Sequence, residues 1–193
     1  MSLLDALLGR TKPKPPRLDQ LFSLPGASVT LEAALGFKPM DRAAVAFRPG
    51  PGHAFAAASE ELQQLLDATG KESKSKFSIE DDRYGYRWVV IEDPDLEDLV
   101  GAVHVVNSTL ENHGFGPQLL CSVFGWRDPQ KDRRLLLVYL YKRGTFYPFA
   151  PVAGANERRD NELELTVRGT LSSELSIETD LSRWYPLWGA PID

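Results

Sequence analysis

Apolar side chains along this chain keep two different spacings, and the switches between them divide it into elements. Residues 135–141, LLLVYLY, alternate by face: Leu135, Leu137, Tyr139 and Tyr141 on one side, Leu136, Val138 and Leu140 on the other, the two-residue repeat of a strand. Both sets are apolar, which predicts a strand covered on both faces, in the middle of a sheet. Residues 119–126 and 134–142 read as paired strands joined by the polar loop 127–133. After a Lys142-Arg143-Gly144 turn, residues 146–152 form a third strand, which its prolines confine to an edge. Earlier strands are expected at 43–48, closed by Pro49-Gly50-Pro51-Gly52, and at 77–79 and 86–91 around the turn Asp81-Asp82-Arg83-Tyr84-Gly85.

Elsewhere the spacing is helical. Phe55, Ala58, Leu62, Leu65 and Leu66 form one stripe over residues 55–68, with Gly70 just beyond and the polar loop KESKSK at 71–76 after it. Leu96, Leu99, Val100, Val103, Val106 and Leu110 form another, opened by Pro94 and stopped by Gly114, with Asp95, Glu97 and Asp98 at its positive end. Residues 18–24 suit a short helix ending before Pro25. The next stretch reads either as a strand over 28–31 or as a helix over 30–35. In the tail, Leu163, Val167 and Leu171 fit a helix while Leu163, Leu165 and Val167 alternate like a strand; the caps available at Asp160 or Asn161 favour the helix.

Helices and strands thus come in segregated groups, which predicts an α+β fold with an antiparallel sheet flanked by helices. Residues 18–193 read as a single α+β domain. A short echo, Leu31-Glu32 to Gly36-Phe37-Lys38-Pro39 and Leu110-Glu111 to Gly114-Phe115-Gly116-Pro117, divides it into pseudo-repeat halves at 18–92 and 95–193. Residues 1–17 stand apart: two turns with Leu3, Leu4, Leu7 and Leu8 on one side, then RTKPKPPR, a stiff extended linker. They read as a terminal helix tucked against the domain or as an apolar-then-basic anchor for a membrane surface or partner.

Composition narrows the function. With 193 residues and 42% hydrophobic side chains, the core needs no metal or disulfide staple. A net charge of -5 argues against nucleic acid. One cysteine excludes an intrachain disulfide, no apolar run reaches the ~20 residues of a spanning helix, and Asp5 interrupts the initial apolar patch. The expectation is a cytoplasmic protein whose membrane contact, if any, is peripheral at the inner face.

No nucleophile elbow, phosphate loop or zinc pattern occurs. His104 and His113, nine residues apart on one helix, fall on opposite faces, and His53 has no partner at ligand spacing. Cys121 lies among apolar residues as a small core side chain. The expectation is a non-enzymatic protein with no catalytic residues, metal or cofactor. Its partner-binding candidates are Phe146, Tyr147 and Phe149 with Lys142 and Arg143 beside them, and Trp184 and Trp188, because aromatic and basic side chains dominate interface hot spots. The competing reading folds the tail back and buries its tryptophans. His104, Asn107 and Glu111 share a helical stripe that, with Tyr141, outlines an alternative pocket for a small ligand or a reaction; the plainer reading is a solvated helix shoulder.

Five segments carry a family resemblance: LLDALLGR at 3–10, HGFGPQLLC at 113–121, VYLYKRGTFYPFAP at 138–151, RRDNELEL at 158–165 and RWYPLWGAP at 183–191. Together they resemble the PspA-associated protein PspAB, a family found chiefly in actinobacteria and linked with the phage-shock envelope-stress system. Residues 42–76 carry no such match. The resemblance implies a cytoplasmic accessory protein acting with PspA or another envelope-stress protein, and it supplies no catalytic residues. The helix ending at Gly114 and the paired strands after it are also similar to YbjN and type III secretion chaperone-like domains. That likeness implies a duplicated plan, an apolar groove for a protein segment and a homodimer.

Overall fold

The alternating run found at 135–141 lies, up to Leu140, in one six-stranded antiparallel sheet in the computed structural model of the chain, which describes residues 18–50, 60–64, 68, 75–154 and 157–192. The strands are β1 (Lys38–Phe47), β2 (Lys76–Asp81), β3 (Arg87–Glu92), β4 (Leu119–Asp128), β5 (Arg133–Leu140) and β6 (Thr145–Phe149), in the order β2-β3-β1-β4-β5-β6. The fold is α+β, as the grouping of elements predicts. β1 and β4 occupy the centre, so β5 is one strand nearer the edge than its apolar sequence implies.

Strand alternation sorts side chains between two cores. On one face Val45, Ile91, Phe124, Trp126, Leu137 and Tyr139 pack under α1 (Leu24–Leu35), α2 (Leu96–Asn112) and α3 (Asn161–Leu171). On the other, Ala44, Val90, Val123, Leu136 and Val138 pack under the C-terminal tail, from which Trp184, Ala190 and Ile192 are buried. Gly125 in β4 marks how closely the tail approaches: a Cβ there would lie 2.9 Å from Ile192 Cγ2 and 3.0 Å from Met40 Sδ. Gly125→Ala is therefore expected to lift the tail and cost about 1–3 kcal/mol of stability by overpacking, read as a lower urea midpoint with an unchanged slope.

The stretch left open at 28–35 is helical. Leu24, Ala27, Ser28 and Leu31 are buried along one side of α1. Pro25, read from the sequence as a stop, sits in the first turn, where its missing N–H has no intrahelical partner to lose. Gly36 ends the helix at φ 77°, its N–H donating to Glu32 O at 3.0 Å. In α2, Pro94 precedes the cap; the Asp95 carboxylate accepts from Glu97 N at 2.7 Å. The tail helix forms as favoured, with Asp160 Oδ1 accepting from Leu163 N at 3.0 Å. β6 is an edge strand, but residues 176–178 cover it: Phe146 N donates to Ser176 O at 2.8 Å and Glu178 N to Phe146 O at 2.7 Å.

Both echoed segments are a helix end, a glycine at positive φ (Gly36 77°, Gly114 80°) and a following strand. Strand order differs between them: β1-β3-β2 on one side and β4-β5-β6 on the other. The readings for residues 1–17, most of 55–68 and most of 71–76 lie outside the described residues. Within the last two, residues 60–64 are helical with Leu62 buried, and Ser75 is buried rather than solvated, donating to Asp93 Oδ2 at 2.6 Å.

Candidate functional site

Phe146, Tyr147 and Phe149, read as a partner-binding cluster, are instead interior, each no more than 1% exposed. Phe146 faces the helices with its ring 5.0 Å from that of Tyr139. Tyr147 and Phe149 face the tail, which covers them: Trp184 stacks on Tyr147 at 6.2 Å and Trp188 meets Phe149 edge-on at 4.8 Å. Trp184 is buried too, its Nε1 donating to Glu178 O at 3.0 Å, while Tyr147 Oη donates to Tyr185 O at 2.8 Å. The rings are large apolar groups that a two-faced sheet needs inside, so the fold-back reading describes them and the exposed-patch reading does not. Lys142 and Arg143 are exposed at the turn, and Trp188 is half-buried.

Arg143 is held in place by Glu178. This carboxylate, 2% exposed, accepts from Arg143 Nε at 3.0 Å, Thr145 Oγ1 at 3.1 Å and Asp180 N at 3.1 Å. Burial alone would raise its carboxyl, but those donors and the Arg143 charge outweigh burial and hold it below the ordinary value of 4.5. A carboxyl lowered on folding adds stability that is present above its unfolded value and lost as pH falls through its folded value. Glu178→Gln is thus expected to lower stability at neutral pH and to flatten the decline below about pH 4.5, in urea titrations run across that range.

The alternative pocket is assembled only in part. Asn107 is buried, with Nδ2 donating to Ser122 Oγ at 2.9 Å. Among the described residues, its Oδ1 and the Tyr141 hydroxyl have no hydrogen-bond partner. Burial, with the Glu111 carboxylate beside it, pushes the Tyr141 phenol well up, so it stays protonated. His104 turns away to a tilted contact with Phe22 at 5.2 Å. His113 pairs with Glu61 at 3.0 Å, and burial pushes the Cys121 thiol up to about 12, which removes its nucleophilic form at neutral pH.

A larger feature lies at the other end of the tail's path. A groove of about 720 Å³ opens between the β2–β3 turn and the tail, lined by Tyr84, Tyr86, Trp88, Pro186, Leu187 and Trp188. Its turn is organised by Asp82, whose Oδ1 accepts from Tyr84 N at 2.8 Å and Tyr86 N at 2.9 Å and whose Oδ2 accepts from Trp88 Nε1 at 3.0 Å. Burial opposes ionisation there, yet these donors hold the Asp82 carboxyl below its ordinary value. Arg83 lies over the Tyr84 ring at 4.8 Å, and Asp81 grips Arg87 at 2.7 and 2.9 Å. Glu80 and Tyr84 stay exposed at the rim. Two smaller cavities of about 480 and 380 Å³ adjoin Lys131, Arg133 and Asp160.

The sequence reading took residues 81–85 as a turn and the C-terminal tryptophans as a partner-binding patch or a folded-back, buried tail, and so missed this groove. Tyr84, Tyr86 and Trp88 at two-residue spacing were the available signal, but nothing in the pattern says that residues 186–191 lie opposite them.

One antiparallel sheet, helices on one face, the chain's own tail on the other and an aromatic groove at its margin define an α+β protein. Residues 1–192 match the PspAB family, described as PspA associated protein B, and the chain belongs to that family. The family name indicates association with PspA. The match includes residues 42–76, where the quoted motifs gave no resemblance. No curated protein and no solved structure matches the chain. Among the described residues, no helix is long and apolar enough to cross a membrane.

Proposed function

We propose that this chain is a non-enzymatic adaptor of the envelope-stress response that binds PspA, acting in the cytoplasm. The observation that carries this reading is the groove: aromatic walls and a charged rim with Glu80 exposed, on a protein whose family is named for PspA. Large rings presented on a rigid hairpin supply contact area at little entropic cost. The covered aromatic cluster does not offer that surface without first undocking the tail.

The test is light scattering and titration calorimetry of the full chain with purified PspA. Tyr84→Ala and Glu80→Lys, both at exposed positions, are expected to weaken the complex roughly tenfold or more while leaving the thermal midpoint unchanged, since a truncated hot-spot ring costs at least about 1.4 kcal/mol. A complex indifferent to both substitutions would move the interface elsewhere. No complex at all would remove PspA as the direct partner.

A further inference from the structure

We propose that the open edge of β2 pairs with β2 of a second copy of this chain, antiparallel about a two-fold axis, joining two six-stranded sheets into one. The two edges of the sheet differ. β6 carries Pro148, and residues 176–178 hydrogen-bond along it. β2, KFSIED, has no proline and pairs with β3 without a bulge. Its residues are exposed apart from a half-buried Phe77, and Ile79 keeps 36% of its surface in solvent. An edge of this kind is a template for another strand unless charge, proline or a bulge deters it.

The hairpin decides which backbone groups that edge presents. Asp82 N donates to Tyr86 O at 2.8 Å, and in an antiparallel ladder such bonded pairs recur at every second residue. Glu80 opposite Trp88 and Ser78 opposite Val90 are therefore bonded within the sheet. That turns the N–H and C=O of Phe77 and Ile79 outward. Among the described residues, no strand or other backbone group meets them.

The side chains select both the partner and the register. A two-fold axis sets one residue opposite its own copy. Centred on Ser78, it places Phe77 opposite Ile79 of the second copy as a pair that exchanges both backbone bonds, and symmetry repeats that pair. The same register sets Lys76 opposite Glu80 of the second copy. Both are exposed, and neither has an ion-pair partner among the described residues. Asp81 meanwhile stays with Arg87. Centring on Ile79 instead sets Phe77 against Asp81, centring on Phe77 sets Lys76 against Ser78, and centring on Glu80 opposes two glutamates. Only the Ser78 register gives Phe77 an apolar partner and Lys76 a free carboxylate at once. Charges that deter a foreign strand thus admit this one, reversed.

The measurement is light scattering of the full chain alone across concentration, with amide exchange followed residue by residue. The mass should rise from one chain to two at roughly 10–100 µM, because a single strand edge buries less than a standard interface. As it rises, the amides of Phe77 and Ile79 should slow about tenfold, while those of Ser78 and Glu80 are protected at every dilution. Ile79→Pro removes an outward N–H without touching the ladder to β3, and should abolish the dimer in a chain whose circular dichroism is unchanged. Lys76→Glu and Glu80→Lys should each raise the dissociation constant about tenfold, and the two combined should restore it. A single-chain mass at every concentration, Phe77 and Ile79 amides already protected in the dilute chain, or a dimer indifferent to Lys76→Glu overturns the proposal. Lys76 lies outside the groove and PspA is absent, so the outcome is independent of whether PspA binds.

Discussion

Arg159→Ala is expected to cost about 3–5 kcal/mol of folding stability, the range for removing one partner of a buried ion pair. Glu164 is 2% exposed, and its Oε1 accepts from Ala150 N and Arg159 Nε, each at 2.9 Å. Arg159 also donates from Nη1 to Trp184 O at 2.7 Å and lies over the Phe149 ring at 5.3 Å. One guanidinium therefore ties together the end of β6, the first turn of α3 and the tail. Without it a buried carboxylate keeps a single backbone donor.

Burial already raises the Glu164 carboxyl, and Arg159 opposes that rise together with the Ala150 N–H. In the variant the folded carboxyl moves further above its unfolded value, so it binds its proton more readily folded than unfolded. The sign follows: stability of Arg159→Ala falls as pH rises through that folded value, and its deficit is smaller in acid than at neutral pH. Urea midpoints of both proteins on either side of the carboxylate range measure this. Arg159→Lys should recover only part of the loss, because one ammonium cannot serve Glu164 and Trp184 O in the same fork geometry.

Trp184→Ala is expected to cost a similar 3–5 kcal/mol, as for other buried aromatics cut to alanine, and to change the chemistry of Cys121. Cys121 shares the core of Tyr147, Val123 and Trp184 beneath the tail. In the native protein a thiol reagent reaches it only when the tail opens. A tail weakened by that amount should speed native-state labelling by about two to three and a half orders of magnitude, since each 1.4 kcal/mol of opening energy is worth tenfold. Trp184→Phe keeps a ring on Tyr147 but loses the hydrogen bond to Glu178 O, so it should fall between. If labelling is unchanged while stability drops, something other than the tail shields the thiol.

Much of this architecture was legible because local pattern and burial agree. Leu135, Leu137, Tyr139 and Tyr141 do share one core, and Leu136 and Val138 the other. Asp160 caps α3 as its position before an amphipathic stripe implies. Pro25 was misjudged because a proline starts a helix as readily as it ends one, and only the buried side of Leu24, Ala27 and Leu31 decides between them. The site was harder. An aromatic run such as Phe146–Phe149 looks the same whether it lines an interface or a second core. What decides is the tail, whose place over β4, β5 and β6 comes from contacts such as Arg159 with Trp184 O that no local period encodes.

The central position of β1 has a kinetic consequence. Ala44 pairs with Val90 on one side and with Val123 on the other, so neither ladder of this strand can zip from a neighbouring hairpin. Closing such distant pairings costs loop entropy before any contact rewards it, which places refolding nearer milliseconds to seconds than microseconds. The hairpins β2–β3 and β4–β5–β6 can form early, each with an apolar strand edge awaiting β1. In that interval the nascent protein is most exposed to misassembly with its own kind, and substitutions that slow the seating of Ala43–Phe47 should lower soluble yield before they lower the melting temperature.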